Sequence, residues 1–105
     1  MAQCDVYNNT NQSTRGRTPF LLDVQADVME TLPTRLVCPL RRREDSPNDP
    51  IERVHLPVTI DDVEYVVFVT ELTAIPSRVL GGVVASLKHR RHEIVAAIDL
   101  LITGF

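Results

Sequence analysis

A chain of 105 residues is short enough for one domain, expected over 1–105, and long enough to bury a core without metal or disulfide staples. With 44% hydrophobic and 24% charged residues it has the balance of a folded protein, and a net charge of −3 excludes a general coat for nucleic acid. The longest apolar run, 94–98, stops at Asp99, far short of the roughly 18 residues of a membrane span. The opening Met-Ala-Gln-Cys-Asp has neither the basic start nor the apolar stretch of a secretory signal, so a soluble, cytoplasmic protein is expected. Cys4 and Cys38 form no Cys-x-x-Cys pair; they read as free thiols packed as small hydrophobes, with no zinc or redox motif.

In chain order, residues 4–7 can add a short strand, and the polar stretch 8–18 has no periodicity and reads as a loop. Phe20, Leu22, Val24, Ala26 and Val28 then alternate with Asp23, Gln25 and Asp27, which predicts a half-buried strand. Leu32-Pro33-Thr34 breaks the pattern before a second strand at 35–40, followed by a charged, proline-containing loop over 41–50. Val54, Leu56, Val58 and Ile60 alternate again, with Asp61-Asp62 as a two-residue turn. Residues 63–70 are apolar on both sides, as a central strand would be. The Gly81-Gly82 pair breaks any helix upstream of Ser86. From Ser86, a natural N-cap, the residues Leu87, Arg91, Ile94, Ile98 and Leu101 follow helical spacing, widened by Val95 and Ile102. Gly104 suits the left-handed position that ends a helix, so four to five turns are expected. An antiparallel sheet followed by one terminal helix predicts a small barrel or curled sheet with the helix across it.

Chemistry-bearing patterns are few. His89 and His92 stand at i, i+3, with Glu93 the only local third ligand, and no metal site is expected. No nucleophile elbow or phosphate loop occurs, so neither catalytic residues nor a cofactor are expected. Arg41-Arg42-Arg43 is partly cancelled by Glu44, Asp45 and Asp49. Lys88, Arg90 and Arg91 load the start of the helix with charge of the same sign as its dipole, an arrangement costing up to ~1 kcal/mol each. They form either a solvated face or a docking patch for an acidic partner. The chain ends on Leu100-Leu101-Ile102-Thr103-Gly104-Phe105, which fits a cap with Phe105 folded onto Leu100, or a rigid apolar tip offered to a partner. The two are compatible.

The runs Leu22-Asp23-Val24-Gln25-Ala26-Asp27-Val28-Met29 and Arg35-Leu36-Val37-Cys38-Pro39-Leu40 resemble the CcdB toxins of plasmid and chromosomal toxin–antitoxin modules. The resemblance continues through Ile75-Pro76, His89-Arg90 and Ala97-Ile98-Asp99-Leu100 to Gly104, nearly the whole chain. It implies an SH3-like barrel with an antiparallel five-stranded sheet, a small subsidiary sheet and a C-terminal helix, in a homodimer. It also implies a protein that is not an enzyme but binds the A subunit of DNA gyrase and traps the complex in which DNA is cleaved. A CcdA-type antitoxin would neutralise it through an acidic tail that folds on binding. Operator DNA would be bound only together with that antitoxin, in autoregulation.

Carried over by position, the gyrase-binding set is Thr103, Gly104, Phe105, Asp99, Val28, Met29 and Cys4, and the antitoxin-binding set is Lys88, Arg90 and Arg91. Gly104 coincides with the family's glycine. Phe105 replaces an isoleucine, Val28 and Met29 replace two isoleucines, Asp99 an asparagine and Cys4 a phenylalanine. Thr103 stands where a tryptophan central to poisoning is found, and losing such an anchor commonly costs ~2–4 kcal/mol. That equals a roughly thirtyfold to thousandfold loss of affinity unless Phe105 compensates. Two rival readings follow. One is a homologue that binds an antitoxin but no longer poisons gyrase. The other is an endoribonuclease similar to MazF, with Arg15, Arg17 and Arg41 to Arg43 along a cleft.

Overall fold

The computed structural model describes residues 2–27, 31–45 and 54–104. Seven strands form one antiparallel sheet: β1 (Asp5–Asn9), β2 (Phe20–Asp23), β3 (Thr34–Arg42), β4 (His55–Ile60), β5 (Val63–Phe68), β6 (Thr73–Pro76) and β7 (Leu80–Ser86). Helix α1 (Arg91–Thr103) follows. The strand order is β4-β5-β3-β2-β1-β7, with β6 also paired to β3. This is the expected curled sheet with a C-terminal helix, but the subsidiary sheet is not separate. After β5 the chain makes a 3-10 turn at Val69–Glu71 and resumes as β6 along the same edge of β3. Pro39, which has no N–H to give, falls in the interval of β3 between Val37, opposite Thr73, and Leu40, opposite Val67.

Side chains from successive residues enter two cores. Val6, Leu22, Cys38 and Leu40 face the larger one with Val67, Leu56, Ile94 and Ala97; Tyr7, Leu21, Val37 and Leu80 form the smaller one behind the sheet. The apolar pairs Leu21-Leu22 and Val37-Cys38 reflect strands covered on both faces. Asp23, expected on a solvent face, therefore lies wholly buried, with Arg35 Nε and Nη2 donating to its Oδ2 at 2.9 and 2.6 Å.

Three elements differ from expectation. β2 stops at Asp23 because the Gln25 N–H turns back onto Asp23 Oδ1 at 3.0 Å, an Asx turn, so the alternation through Val24 and Ala26 does not continue as strand. β7 was masked by its glycines. It is bulged against β1, and a Cβ on Gly81 would sit 3.0 Å from Asn8 Cβ and 3.2 Å from its carbonyl oxygen, so glycine permits the close approach. The helix starts at Arg91 rather than Ser86. Ser86 still pairs with Asp5, and the Leu87 N–H donates to the Cys4 carbonyl at 2.7 Å, so the chain first makes a 3-10 turn at Lys88–Arg90. The Asp61-Asp62 turn has φ of 50° and 65°, as a type I′ hairpin requires.

Candidate protein-docking site

Helix α1 buries Ile94 and Ala97 and half-buries Ile98 and Leu100 against the larger core. In its last turn Leu101 is 41% and Ile102 72% exposed. Gly104, at φ 79°, closes the helix in the left-handed conformation, its N–H donating to the Leu100 carbonyl at 2.9 Å. The Thr103 hydroxyl donates to the Asp99 carbonyl at 2.6 Å, which keeps this polar group on the helix. The tip is thus an ordered apolar end with Asp99 exposed on the turn before it. Periodicity puts Leu101 and Ile102 on the apolar stripe and the terminal run reads as an apolar tip; their exposure agrees with the second reading.

Of the other residues assigned to this face, Val28, Met29 and Phe105 lie outside the described residues. Cys4 is buried, in a left-handed backbone conformation of φ 71°; its N–H donates to the Asp23 carbonyl at 2.7 Å and its own carbonyl accepts from Leu87. Its side chain therefore serves the core rather than a surface. Gln3 beside it, not singled out in the sequence, bridges three segments. Its N–H donates to Asp27 Oδ1 at 2.7 Å, its Nε2 to the Val24 carbonyl at 3.1 Å, and its Oε1 accepts from Arg91 Nε at 2.9 Å.

The basic residues at the start of the helix diverge. Arg90 reaches β4, donating to the Pro57 carbonyl at 2.5 Å, and pairs with Glu93 at 2.6 Å, which holds the Glu93 carboxyl below its ordinary range. Arg91 turns to Gln3. Lys88 is exposed and, among the described residues, has no acidic partner. The 3-10 start also moves Lys88 and Arg90 ahead of the α-helix proper.

In the second basic group Arg41 and Arg42 are engaged. Arg41 forms a two-pronged pair with Glu71, its Nη2 2.8 Å from Oε1, and lies over the Phe68 ring at 4.7 Å. The pairing raises the Arg41 pKa and lowers that of Glu71. His55 packs on Phe68 at 4.7 Å and shares a 2.8 Å hydrogen bond with the Thr70 hydroxyl; burial depresses its pKa. Arg42 donates to the Gly16 carbonyl at 3.3 Å, bringing the exposed Arg15 and Arg17 loop alongside. Among the described residues no cluster of His, Cys, Asp or Glu is placed to hold a metal, and His89 and His92 are exposed. No helix among the described residues is long and apolar enough to cross a membrane.

A curled antiparallel sheet with one C-terminal helix across it, ending in an apolar tip, defines the class: the fold shared by CcdB and MazF toxins. The structure is similar to that of an endoribonuclease in complex with its cognate antitoxin from Mycobacterial species, with a TM-score of 0.74 over 97% of this chain and 94% of that chain. At 12% identity that likeness concerns the fold. The family model for CcdB protein matches residues 3–104, and the chain belongs to the CcdB family, toxins of toxin–antitoxin systems.

Proposed function

We propose that this protein is a gyrase poison that acts by binding, as a homodimer that places two helix tips side by side against the A subunit of gyrase and holds the cleaved-DNA complex. The observation that carries this reading is the ordered, exposed apolar end of α1, Leu101 and Ile102 closed by Gly104, in a chain of the CcdB family. A preorganised apolar end loses little entropy on docking, which suits it to a partner groove. With Thr103 in place of a tryptophan, Ile102 becomes the anchor, in company with Phe105. A CcdA-type antitoxin with an acidic tail neutralises the protein, and operator DNA is met only through that complex.

The test is to incubate purified protein with gyrase, ATP and supercoiled plasmid, then denature the protein and look for linear DNA. Linear product that is lost in Gly104→Glu, with the dimer retained, supports the reading. Retained poisoning in that variant places the contact elsewhere. No linear product with several gyrases, the host's included, favours a homologue that binds antitoxin without poisoning. The endoribonuclease reading is disfavoured by Arg41, whose guanidinium is already held by Glu71, and cleavage of RNA by the purified dimer would revive it.

A further inference from the structure

Among the described residues, Arg41 Nε and His55 Nδ1 are buried nitrogens without a hydrogen-bond partner, and both belong to side chains that adjoin one ring, that of Phe68. The Arg41 guanidinium lies over this ring at 4.7 Å, and the His55 imidazole packs on it at 4.7 Å, tilted by 55°. His55 opens β4 opposite Phe68, the last residue of β5, and its Nε2 lies 2.8 Å from the Thr70 hydroxyl in the 3-10 turn Val69–Glu71. That bond clasps β4 to the turn. Helix α1 packs on both elements, Ile94 and Ala97 sharing one core with Leu56 of β4 and Val69 of the turn. Two residues beyond His55, Pro57 has no N–H and its carbonyl is held by Arg90, which guards this edge of the sheet and ties the helix start to the same strand.

The clasp has a place for one proton. A neutral imidazole carries its proton on one nitrogen. On Nε2 it is donated to Thr70, and the buried Nδ1 keeps a bare lone pair, which is tolerated better than a buried N–H without an acceptor. A second proton, taken from solvent, would sit on Nδ1, where no described residue accepts it. The neighbouring charges offer no relief. Glu71, on the turn, is already bound by both oxygens to Arg41 and is also held down by Arg17 from the 8–18 loop. Arg41, from β3, is itself a cation acting against a charged His55. Arg90, at the helix start, is paired with Glu93 at the Pro57 carbonyl. Burial, the largest influence, lowers the His55 pKa.

We propose that His55 is a pH-sensitive clasp on the seat of helix α1, closed while its ring is neutral and opened in mild acid, when a proton on Nδ1 drives the ring off Phe68. Below the ordinary histidine value of about 6.5, the closed state binds fewer protons than the open one. The clasp is therefore at full strength above that value, weakens as pH falls below it, and levels off beneath the lowered folded value. This window lies above the carboxylate range in which Glu71 titrates. The apolar tip is held firmly near neutral pH and loosened in mild acid. The proposal rests on the reading above only in giving the tip a partner, and its test involves no gyrase, so either can fail without the other.

The experiment is NMR on the full chain, reading amide protection factors and the His55 ring nitrogens from pH 7.5 to 5.5. The expected result is a proton on Nε2 at pH 7.5, a ring midpoint below 6.5, and an at least threefold fall in protection at residues 55, 56, 66 to 68 and 94 to 97. His55→Phe, which keeps a ring on Phe68 but cannot titrate, should abolish that fall. Thr70→Val should lower protection there already at pH 7.5, and Glu71→Gln should leave the fall in place. A midpoint at or above 6.5, protection that does not change, or a fall that persists in His55→Phe overturns the proposal. So does a fall abolished by Glu71→Gln, which would assign the response to that carboxylate.

Discussion

Asp23 and Arg35 are both removed from solvent, and the pair owes its worth to geometry rather than charge alone. Removing one partner leaves a buried ion uncompensated, which commonly costs ~3–5 kcal/mol, whereas replacing both with apolar groups is often neutral. Asp23→Ala should thus lower the urea midpoint far more than Asp23→Leu combined with Arg35→Met. This pair was not legible in the sequence, because alternation can separate two faces but cannot say that both are covered. The thiols were better read. Burial pushes Cys38 up to about 12 and raises Cys4, so neither should react with iodoacetamide in the native protein at neutral pH, while both react in urea. Glu71 titrates in the opposite direction from a buried acid, because Arg41 holds it down. The folded state there binds fewer protons than the unfolded chain. The pair's stabilisation is therefore complete above the ordinary carboxylate range and fades as pH falls through the lowered folded value. Glu71→Gln should flatten that acid limb of the stability profile.

Among the elements, the hairpin between β4 and β5 was legible from turn position and alternation together. Its two aspartates hold positive φ at a cost glycine avoids, so Asp62→Gly should stabilise by about 1 kcal/mol or less in thermal unfolding. The helix end was legible through Gly104, and Gly104→Ala should cost about 1 kcal/mol for the same reason in reverse. The helix start was not legible. Ser86 has the chemistry of an N-cap, but the strand pairing of Ser86 with Asp5 and the bond from Leu87 to Cys4 decide the matter, and these partners lie far away in the chain. The tip was only half legible: the glycine marked its end, while helical spacing puts Ile102 on the apolar stripe and carries no sign that it lies uncovered. Ile102→Asp should leave unfolding almost unchanged and remove gyrase-dependent linearisation of plasmid, because its side chain packs on little of the protein itself.

At the level of the molecule, Arg90 joins the helix to the edge strand β4 and is the cation on which that edge's protection depends. Arg90→Ala should lower stability by roughly 1–3 kcal/mol and expose the Pro57 carbonyl, seen as faster aggregation on mild heating than in Lys88→Ala. Family membership was legible because it is spread over the whole chain, from Leu22 to Gly104, in order and spacing. Edge protection was not, since Arg90 and Pro57 are distant in sequence and carry no local pattern.

The pairing of β1 with β7 has a kinetic meaning. Asp5 lies opposite Ser86, roughly 80 positions along the chain, so loop-closure entropy must be met before this contact returns any stability, a topology whose folding times run to milliseconds and beyond. Leu87, just ahead of helix α1, bonds to Cys4 at the end of that same strand pair, which ties the helix's entry to this pairing. After an excursion to the unfolded state, the apolar tip is expected to be among the last parts set in place, which stopped-flow refolding followed at Ile102 would check. The time the protein takes to become competent is then governed by the meeting of its most distant segments rather than by the quick winding of its helix.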